Sequence, residues 1–197
     1  MAEHYTGVKY SIPDGALERK TVFTVENKAQ IRAMKKAGKE LSERGLAQGT
    51  TGNLSVRTGS KFIITATASD LSRLSDEDFV VVEGFDAESN TLTKAAGLKE
   101  PSSETPMHDL VYKTRKDVNA IIHVHDRLLV SEDAIRKLKL PVTEAENAYG
   151  TKELAQAVAG LLAKGNAAVA KGHGIVVAGK SIGECTESLV TLRRRAP

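Results

Sequence analysis

The amino-acid sequence predicts one α/β domain whose mixed or largely antiparallel sheet lies between helices. Three observations support this prediction. The chain has 197 residues, of which 41% are hydrophobic, and this is enough for one full core. Strand and helix patterns alternate irregularly, without an internal repeat or a low-complexity linker. Two early strand patterns are joined by a short turn, which is typical of antiparallel pairing.

The first part of the chain predicts an extension, a helix and a hairpin. Residues 1–23 are expected to form an irregular N-terminal extension, and residues 24–197 the domain. A helix is predicted over residues 25–44, because apolar side chains recur there at helical spacing and Gly45 follows as a stop. The segment 53–65 predicts a β-hairpin, since two β-rich runs flank a Thr-Gly-Ser turn. The apolar helical positions are Ile31, Met34, Ala37 and Leu41.

The remaining elements follow from short apolar runs and helix-start signals. Helices are predicted to begin at Thr105, where proline occupies the first turn, and at Thr151. A last helix begins at Ser181, which together with Glu184 has the spacing of a capping box. The remaining strands are predicted at residues 79–83, 119–125, 167–170 and 174–179.

Charge and composition argue against a nucleic-acid or membrane partner. The formal net charge is only +3, aromatic residues make up 4% of the chain and tryptophan is absent, whereas nucleic-acid binders usually show a basic stripe with aromatic residues. The basic run 193–195 is interpreted as a solvated tail. No signal peptide or membrane span is recognised. Cys185 is the single cysteine of the chain and is interpreted as a small packing residue. A single cysteine suits a reducing compartment. The predicted location is the cytoplasm.

Two histidines two residues apart are the first candidate functional feature. His123 and His125 end an apolar strand pattern, and side chains two apart in a strand face the same way, so they form a chelating pair. A polar strand end is the alternative. His173 lies between two glycines just before another strand, where a sheet can bring it beside the pair. Three neutral imidazoles leave a coordination position open, as in a Lewis-acid site.

A second candidate feature is the segment "EPSSETPMH" at residues 100–108. Ser102 and Ser103 supply hydroxyl groups, and the amides at the start of the following helix favour an anion such as phosphate. Glu104 places a carboxylate beside this anion site. A helix cap is the alternative for these residues, and His108 is interpreted as a hydrogen-bonded core residue.

A third candidate feature is the glycine-rich segment 47–57, "AQGTTGNLSVR". Its small residues expose backbone amides before a strand, and Asn53 offers a side-chain donor. A structural turn is the alternative. The segment fits neither the Walker nor the dinucleotide-binding pattern, so it gives no support for nucleotide binding.

Taken together, these segments resemble the class II aldolase/adducin family. "QGTTGNLSVR", "PSSETPMH", "IIHVH", "YGTKELAQAV" and "KGHGIVV" occur in the family's order, and the resemblance spans about residues 28–192. It implies a three-layer α/β/α fold around a central, mainly antiparallel sheet. It also implies a divalent metal, usually zinc, and a cyclic homotetramer with sites at the subunit interfaces.

The resemblance assigns roles to individual residues. Glu104 is expected to be the catalytic acid-base group. The expected metal ligands are His123, His125, His173 and Glu104. The expected phosphate-binding residues are Gly52, Asn53, Thr67, Ser102 and Ser103. His4, in the extension, is expected to have no part in the site.

The sequence also departs from the family pattern. In the segment 65–68, Thr67 keeps a hydroxyl group but Ala68 replaces a glycine, which leaves open how well this segment binds phosphate. A tyrosine that serves the sugar-phosphate aldolases as proton donor would fall near Glu146. The chain also ends at Pro197, without the segment that supplies them with another active-site tyrosine.

The resemblance implies a zinc-dependent aldolase. Its expected reaction is the reversible cleavage of a ketose phosphate, such as L-fuculose 1-phosphate, into dihydroxyacetone phosphate and an aldehyde. A pentulose-phosphate 4-epimerase and a sugar-phosphate dehydratase are alternatives, and glutamate at position 104 favours the aldolase over the epimerase. A non-catalytic adducin-like scaffold is disfavoured, because the three histidines and Glu104 are all present.

Overall fold

A computed structural model describes residues 7–197 of the chain, and His4 lies outside the described residues. Within this range a single sheet has eight strands in the order β1-β5-β4-β3-β2-β6-β8-β7. All neighbouring strands pair antiparallel except β1 and β5, which pair parallel. The strands are β1 (Leu17–Glu18), β2 (Asn53–Thr58), β3 (Lys61–Thr65), β4 (Phe79–Asp86), β5 (Thr91–Gly97), β6 (Ala120–Val124), β7 (Ala167–Ala170) and β8 (Gly174–Gly179).

Helices cover both faces of this sheet. They are α1 (Lys28–Glu43), α2 (Thr105–Thr114), α3 (Glu132–Leu138), α4 (Lys152–Leu162) and α5 (Ile182–Arg195). Successive strand residues enter two separate hydrophobic clusters, as the two-residue strand period requires: Ile122 packs with α1 and α5, whereas Ile121 packs with α2 and α4. The predicted three-layer α/β/α fold with a mainly antiparallel sheet is confirmed.

Most of the predicted elements are present, with small shifts at their ends. Helix α1 begins at Lys28, three residues later than predicted, and the hairpin of β2 and β3 turns through Gly59. Strands β1 and β5 and helix α3 were not predicted: β1 and α3 are short, and β5 has few large apolar residues. Cys185 is buried and its thiol lies 3.4 Å from the Ala120 carbonyl oxygen, so the prediction of a packing residue is confirmed.

Two predictions for the C-terminal helix need correction. The Ser181 hydroxyl accepts from the Glu184 amide at 3.2 Å, but the Glu184 carboxylate accepts from the Lys180 amide, so the capping box is not reciprocal. The basic run 193–195 is exposed to solvent, as predicted, but it forms the last turn of α5 rather than a tail. Arg193 Nε donates to the buried carboxylate of Asp126 at 3.1 Å, which joins this helix to the end of β6.

The described part of the predicted extension lies along one edge of the sheet. Ser11 bridges to Thr91, and β1 pairs with β5. Tyr10 is buried, and its hydroxyl donates to the Pro101 carbonyl oxygen at 3.0 Å. This segment therefore supports the loop that precedes α2, while the boundary at residue 24 stays a prediction. Among residues 7–197, none of the helices is long and apolar enough to cross a bilayer.

Candidate metal centre

The order of the three central strands brings the predicted histidines together. In β2 and β6, Asn53 lies directly opposite His123, so both side chains are on the face covered by α2. In β6 and β8, Val124 lies opposite Ile175, which places the turn that carries His173 beside the end of β6. The three predicted ligands therefore come from two neighbouring strand ends.

The imidazole nitrogens of these histidines converge on one point. His123 Nε2 lies 2.8 Å from His125 Nε2 and 3.2 Å from His173 Nε2. One ligand nitrogen from each histidine lies within 4.8 Å of the other two. Nitrogens about 2.0–2.1 Å from a tetrahedral zinc are about 3.3–3.4 Å apart, so the cluster has nearly the right size for a divalent metal.

The hydrogen bonding and burial of His123 suit it to bind a metal. Its Nδ1 lies 3.1 Å from the Ile175 carbonyl oxygen, which can only accept, so Nδ1 carries the hydrogen and the Nε2 lone pair faces the cluster. Burial, and then the neighbouring imidazoles, hold the pKa of His123 well below its ordinary value. Burial also lowers the pKa of His125. Neutral imidazoles are the form that binds metal.

Two glycines let the backbone approach the histidines closely. A Cβ atom on Gly174 would lie 2.6 Å from His123 Cε1 and 2.6 Å from the Val124 carbonyl oxygen. Gly52 has a φ of +91°, and a Cβ there would lie 2.6 Å from the His123 carbonyl oxygen. Any larger residue at either position would push the end of β6 away.

Glu104 places a carboxylate at the edge of the histidine cluster. It is the residue before α2, it is 3% exposed, and its Oε1 lies 3.7 Å from His173 Nε2. Its own side chain does not cap the helix; instead the Ser102 hydroxyl accepts from the Glu104 amide at 3.2 Å. The Ser102 hydroxyl therefore closes the turn before α2, no side chain caps the helix at its N-cap, and the Glu104 carboxylate is directed towards the histidines.

The segments predicted to bind phosphate meet at the same end of the sheet. The Ser102 amide donates to the Thr65 carbonyl at 3.1 Å, and the Thr67 amide donates to the Glu100 carbonyl at 3.0 Å. The Leu54 amide donates to the Thr65 hydroxyl at 3.2 Å. The loop that carries Ser102 thus lies against the end of β3 and the start of β2.

Ala68 has the backbone conformation that glycine favours. Its φ is +54°, in the left-handed region, and its side chain lies at an exposed turn. Alanine at this position therefore adopts a turn conformation that glycine favours, at a cost in backbone strain.

Two further residues near the centre, Ser55 and Tyr112, were not singled out from the sequence, and hydrogen bonds through Ser55 connect both to the histidine predicted to lie in the core. His108 is fully buried, as predicted for a core residue, but it is hydrogen-bonded to Ser55 and, on its other nitrogen, to Asn53. Tyr112 lies one helical turn after His108 and also contacts Ser55. Asn53 and Ser55 are two apart in β2, and His108 and Tyr112 are four apart in α2. These spacings place each pair on one face of its element and are the signal that could have identified this group.

Glu146 also lies beside the turn that carries His173. A Cβ atom on Gly172 would lie 2.9 Å from a Glu146 carboxylate oxygen, so this side chain packs directly on the glycine that precedes His173. The position where sugar-phosphate aldolases are expected to carry a tyrosine thus has an exposed carboxylate next to the turn that carries His173.

Comparison with known proteins identifies the family. The sequence profile of the class II aldolase and adducin N-terminal domain matches residues 32–196. This chain belongs to the class II aldolase and adducin family. The family resemblance inferred from the motifs is thereby confirmed.

Relatives within the class II aldolase family carry different activities in their names. An L-fuculose phosphate aldolase of Methanococcus maripaludis is 33% identical over 156 residues, which is 73% of this chain and 81% of that protein. A methylthioribulose-1-phosphate dehydratase of Leptospira biflexa is 36% identical over 118 residues, 55% of each protein. The crystal structure of an L-fuculose-1-phosphate aldolase from Thermus thermophilus matches with a TM-score of 0.68 and 26% identity, over 83% of this chain and 89% of that one.

We expect Gly174→Ala to lower the metal content sharply, because the added methyl group meets His123 and the Val124 carbonyl at 2.6 Å. Elemental analysis of the desalted protein, with circular dichroism to confirm folding, measures this effect. Gly165→Ala is the matched control, since a Cβ there meets no atom within 4 Å. Full metal occupancy in folded Gly174→Ala protein would contradict the described packing.

We expect Ala68→Gly to raise the free energy of unfolding by about 0.5–1 kcal/mol, because glycine adopts a φ of +54° without strain. Ala87→Gly, at a turn whose φ is not positive, should instead destabilise the protein by about 0.4–1 kcal/mol. Urea denaturation compares the two variants. Equal destabilisation by both would show that Ala68 is not strained.

Proposed function

We propose that this protein is a metal-dependent aldolase that reversibly cleaves a ketose phosphate, such as L-fuculose 1-phosphate, into dihydroxyacetone phosphate and an aldehyde. The observation that carries the proposal is the Glu104 carboxylate 3.7 Å from His173 Nε2, at the edge of a three-histidine cluster. An acid-base group beside a metal is the pair of functions that carbon-carbon cleavage next to a carbonyl requires. The relatives named L-fuculose phosphate aldolase support the same reaction.

His123, His125 and His173 would hold the metal, which we propose to be zinc, and Glu104 would be a further ligand before substrate binds. When bound, the metal would polarise the substrate carbonyl and stabilise the negative charge left by bond cleavage. Three neutral ligands suit this role, because they leave the full charge of the cation available to the substrate.

Glu104 would transfer the proton at the reacting carbon. In the synthetic direction its carboxylate removes a proton from the carbon next to the carbonyl, and in cleavage it returns that proton to the same carbon. Its position before α2 supports this role, since the backbone there fixes the carboxylate beside His173. Burial excludes most water from the carboxylate and so protects the carbanionic carbon from protons of the solvent.

The substrate phosphate would lie where three loops meet. Its proposed partners are Gly52, Asn53, Thr67, Ser102 and Ser103. All of them are neutral, so binding would depend on hydrogen bonds and on the amides at the start of α2. The contacts between the Thr65–Thr67 and Ser102 segments support a shared site.

The proposal also covers the oligomeric state and the cellular location of the protein. We propose a homotetramer with sites at the subunit interfaces, on the basis of the family assignment. A cytoplasmic location is consistent with the single, buried Cys185, whose pKa burial raises to about 12.

A sugar-phosphate dehydratase is the second candidate. Glu146 is the observation that favours it, because its side chain packs on Gly172, directly before His173, and a carboxylic acid that reached the substrate from there could protonate a departing hydroxyl group. The relative named methylthioribulose-1-phosphate dehydratase supports this alternative. The 4-epimerase alternative is less favoured because position 104 is glutamate.

A panel of ketose phosphates tests the proposal directly. The metal-loaded protein is incubated with each compound, and release of dihydroxyacetone phosphate, loss of water and formation of an epimer are followed separately. Aldehyde and dihydroxyacetone phosphate from at least one ketose 1-phosphate would support the aldolase. Loss of water alone would establish the dehydratase, and a protein that binds no metal and turns over nothing would favour a scaffold.

We expect Glu104→Gln to lower turnover by about 10²–10⁴-fold while the protein stays folded, because the amide cannot accept the proton. Steady-state kinetics and elemental analysis are measured together, with Glu187→Gln on the exposed side of α5 as the control. Near-normal turnover in folded, metal-loaded Glu104→Gln protein would exclude the proton-transfer role. Loss of metal alone would identify Glu104 as chiefly a ligand.

We expect Ser103→Ala to weaken binding of a phosphorylated ketose by about ten- to a hundredfold, the effect of one lost hydrogen bond to a charged group. Ser102→Ala should have an effect of the same size and should also destabilise the loop, since the Ser102 hydroxyl accepts from the Glu104 amide. KM values for a phosphorylated and an unphosphorylated ketose are compared, with the exposed Ser60→Ala as the control. Equal losses for both ketoses would mean that the pocket does not bind phosphate.

A further inference from the structure

A buried chain of hydrogen bonds connects α2 to the start of β2, behind the histidine cluster. The Tyr112 hydroxyl lies 2.8 Å from Ser55 Oγ, and Ser55 Oγ lies 2.6 Å from His108 Nδ1. His108 Nε2 in turn lies 2.7 Å from Asn53 Oδ1. All four residues are no more than 5% exposed, so water does not compete for these bonds.

The hydrogen atoms in this chain can be assigned from chemistry. An amide oxygen only accepts, so the hydrogen of His108 must be on Nε2, facing Asn53. Burial lowers the pKa of His108 to about 3, so the ring is neutral and its Nδ1 accepts from Ser55. Since the one hydroxyl hydrogen of Ser55 is used in this way, Tyr112 must donate to Ser55. Every hydrogen in the chain then has an acceptor.

The reverse arrangement leaves a hydrogen without an acceptor. If the Asn53 amide were turned over, its nitrogen would donate to His108 Nε2, and His108 Nδ1 would donate to Ser55. The hydroxyl hydrogens of Ser55 and Tyr112 would then have only one acceptor between them, because neither group has another hydrogen-bond partner among residues 7–197. A buried hydroxyl without an acceptor is costly, so the first arrangement is favoured.

The direction of the chain decides which atom Asn53 presents to the metal side. With its oxygen held by His108, its amide nitrogen is on the side turned away from α2, and this nitrogen makes no hydrogen bond within the described residues. Asn53 also lies directly opposite His123 in the sheet and on the same face.

We propose that His108 is a positioning residue: together with Ser55 and Tyr112, it holds the Asn53 amide so that its NH₂ group points to the substrate phosphate. The phosphate in this statement depends on the proposed function, whereas the orientation of the amide does not. Within the described residues, the His108 side chain hydrogen-bonds to Ser55 and Asn53 and to none of the three clustered histidines.

Nitrogen NMR of protein labelled with ¹⁵N-histidine tests the orientation without any substrate. We expect His108 to stay neutral, with its hydrogen on Nε2, throughout pH 5–8. In Asn53→Asp protein, which keeps an acceptor for His108, Nε2 is again expected to carry a hydrogen. A hydrogen on Nδ1 in the unmodified protein would overturn the proposal, because Asn53 would then present its oxygen.

Binding of inorganic phosphate to the metal-loaded protein, followed by calorimetry, tests the consequence. We expect His108→Leu to weaken phosphate binding about tenfold, the effect of about one hydrogen bond, and His108→Gln to restore it, because the glutamine amide can donate to Asn53. In an Asn53→Ala background, His108→Leu should have no further effect. Equal losses in both backgrounds would instead identify a purely structural role and overturn the proposal.

Failure of the proposed function can be distinguished from failure of the proposal for His108. If the unmodified, metal-loaded protein binds no phosphate, a phosphorylated substrate is excluded and the phosphate part of the proposal fails with it. The nitrogen resonances of His108 still decide whether it orients Asn53. If His108→Leu does not fold, His108→Gln and the NMR measurement still test whether His108 orients Asn53.

Discussion

The contact between Gly174 and the imidazole of His123 is the constraint on which the site depends. A side chain at position 174 would collide with His123 Cε1, so the first residue of β8 must lack one for β6 and β8 to pair in the observed register. This pairing brings the His173 turn to the end of β6. It also provides the Ile175 carbonyl that accepts from His123 Nδ1. One glycine thus controls both the position of the ligands and the direction of a lone pair.

The face of the sheet covered by α2 carries buried polar residues that affect both the stability of the fold and the candidate site. The residues of β2 and β6 that point to this face include Asn53, Ser55 and His123, whereas Leu54 and Ile122 on the opposite face pack with α1 and α5. A polar group in such a setting needs a partner, since an unpaired buried donor destabilises the fold. The partners of Asn53 and Ser55 come from α2, and Glu104 immediately precedes this helix. The same helix therefore satisfies these polar strand residues and fixes the position of the carboxylate proposed as the acid-base group.

The sequence predicted the layers, the hairpin, most elements and the three histidines, because each depends on a local pattern or on a motif. It could not predict contacts that depend on the sheet order. Arg193 appeared to belong to a charged tail, yet it pairs with Asp126 because α5 packs beside the end of β6. The hydrogen bonds of Ser55 could not be predicted for the same reason, because its partners are more than 50 positions away along the chain. Ala68 is a different case, because the residue is alanine but its backbone has a conformation that glycine favours.

The difference between reactions in this family is best sought at the edge of the metal cluster. Under the proposed function, the histidines would hold a metal that stabilises negative charge, and this step would be shared by cleavage and dehydration. What separates the two reactions is the group that receives or supplies a proton at the far carbon or at the departing oxygen. In this chain Glu104 occupies one side of His173, and Glu146 packs on the turn just before it. These two carboxylates are therefore the residues to compare when cleavage is distinguished from dehydration in this chain.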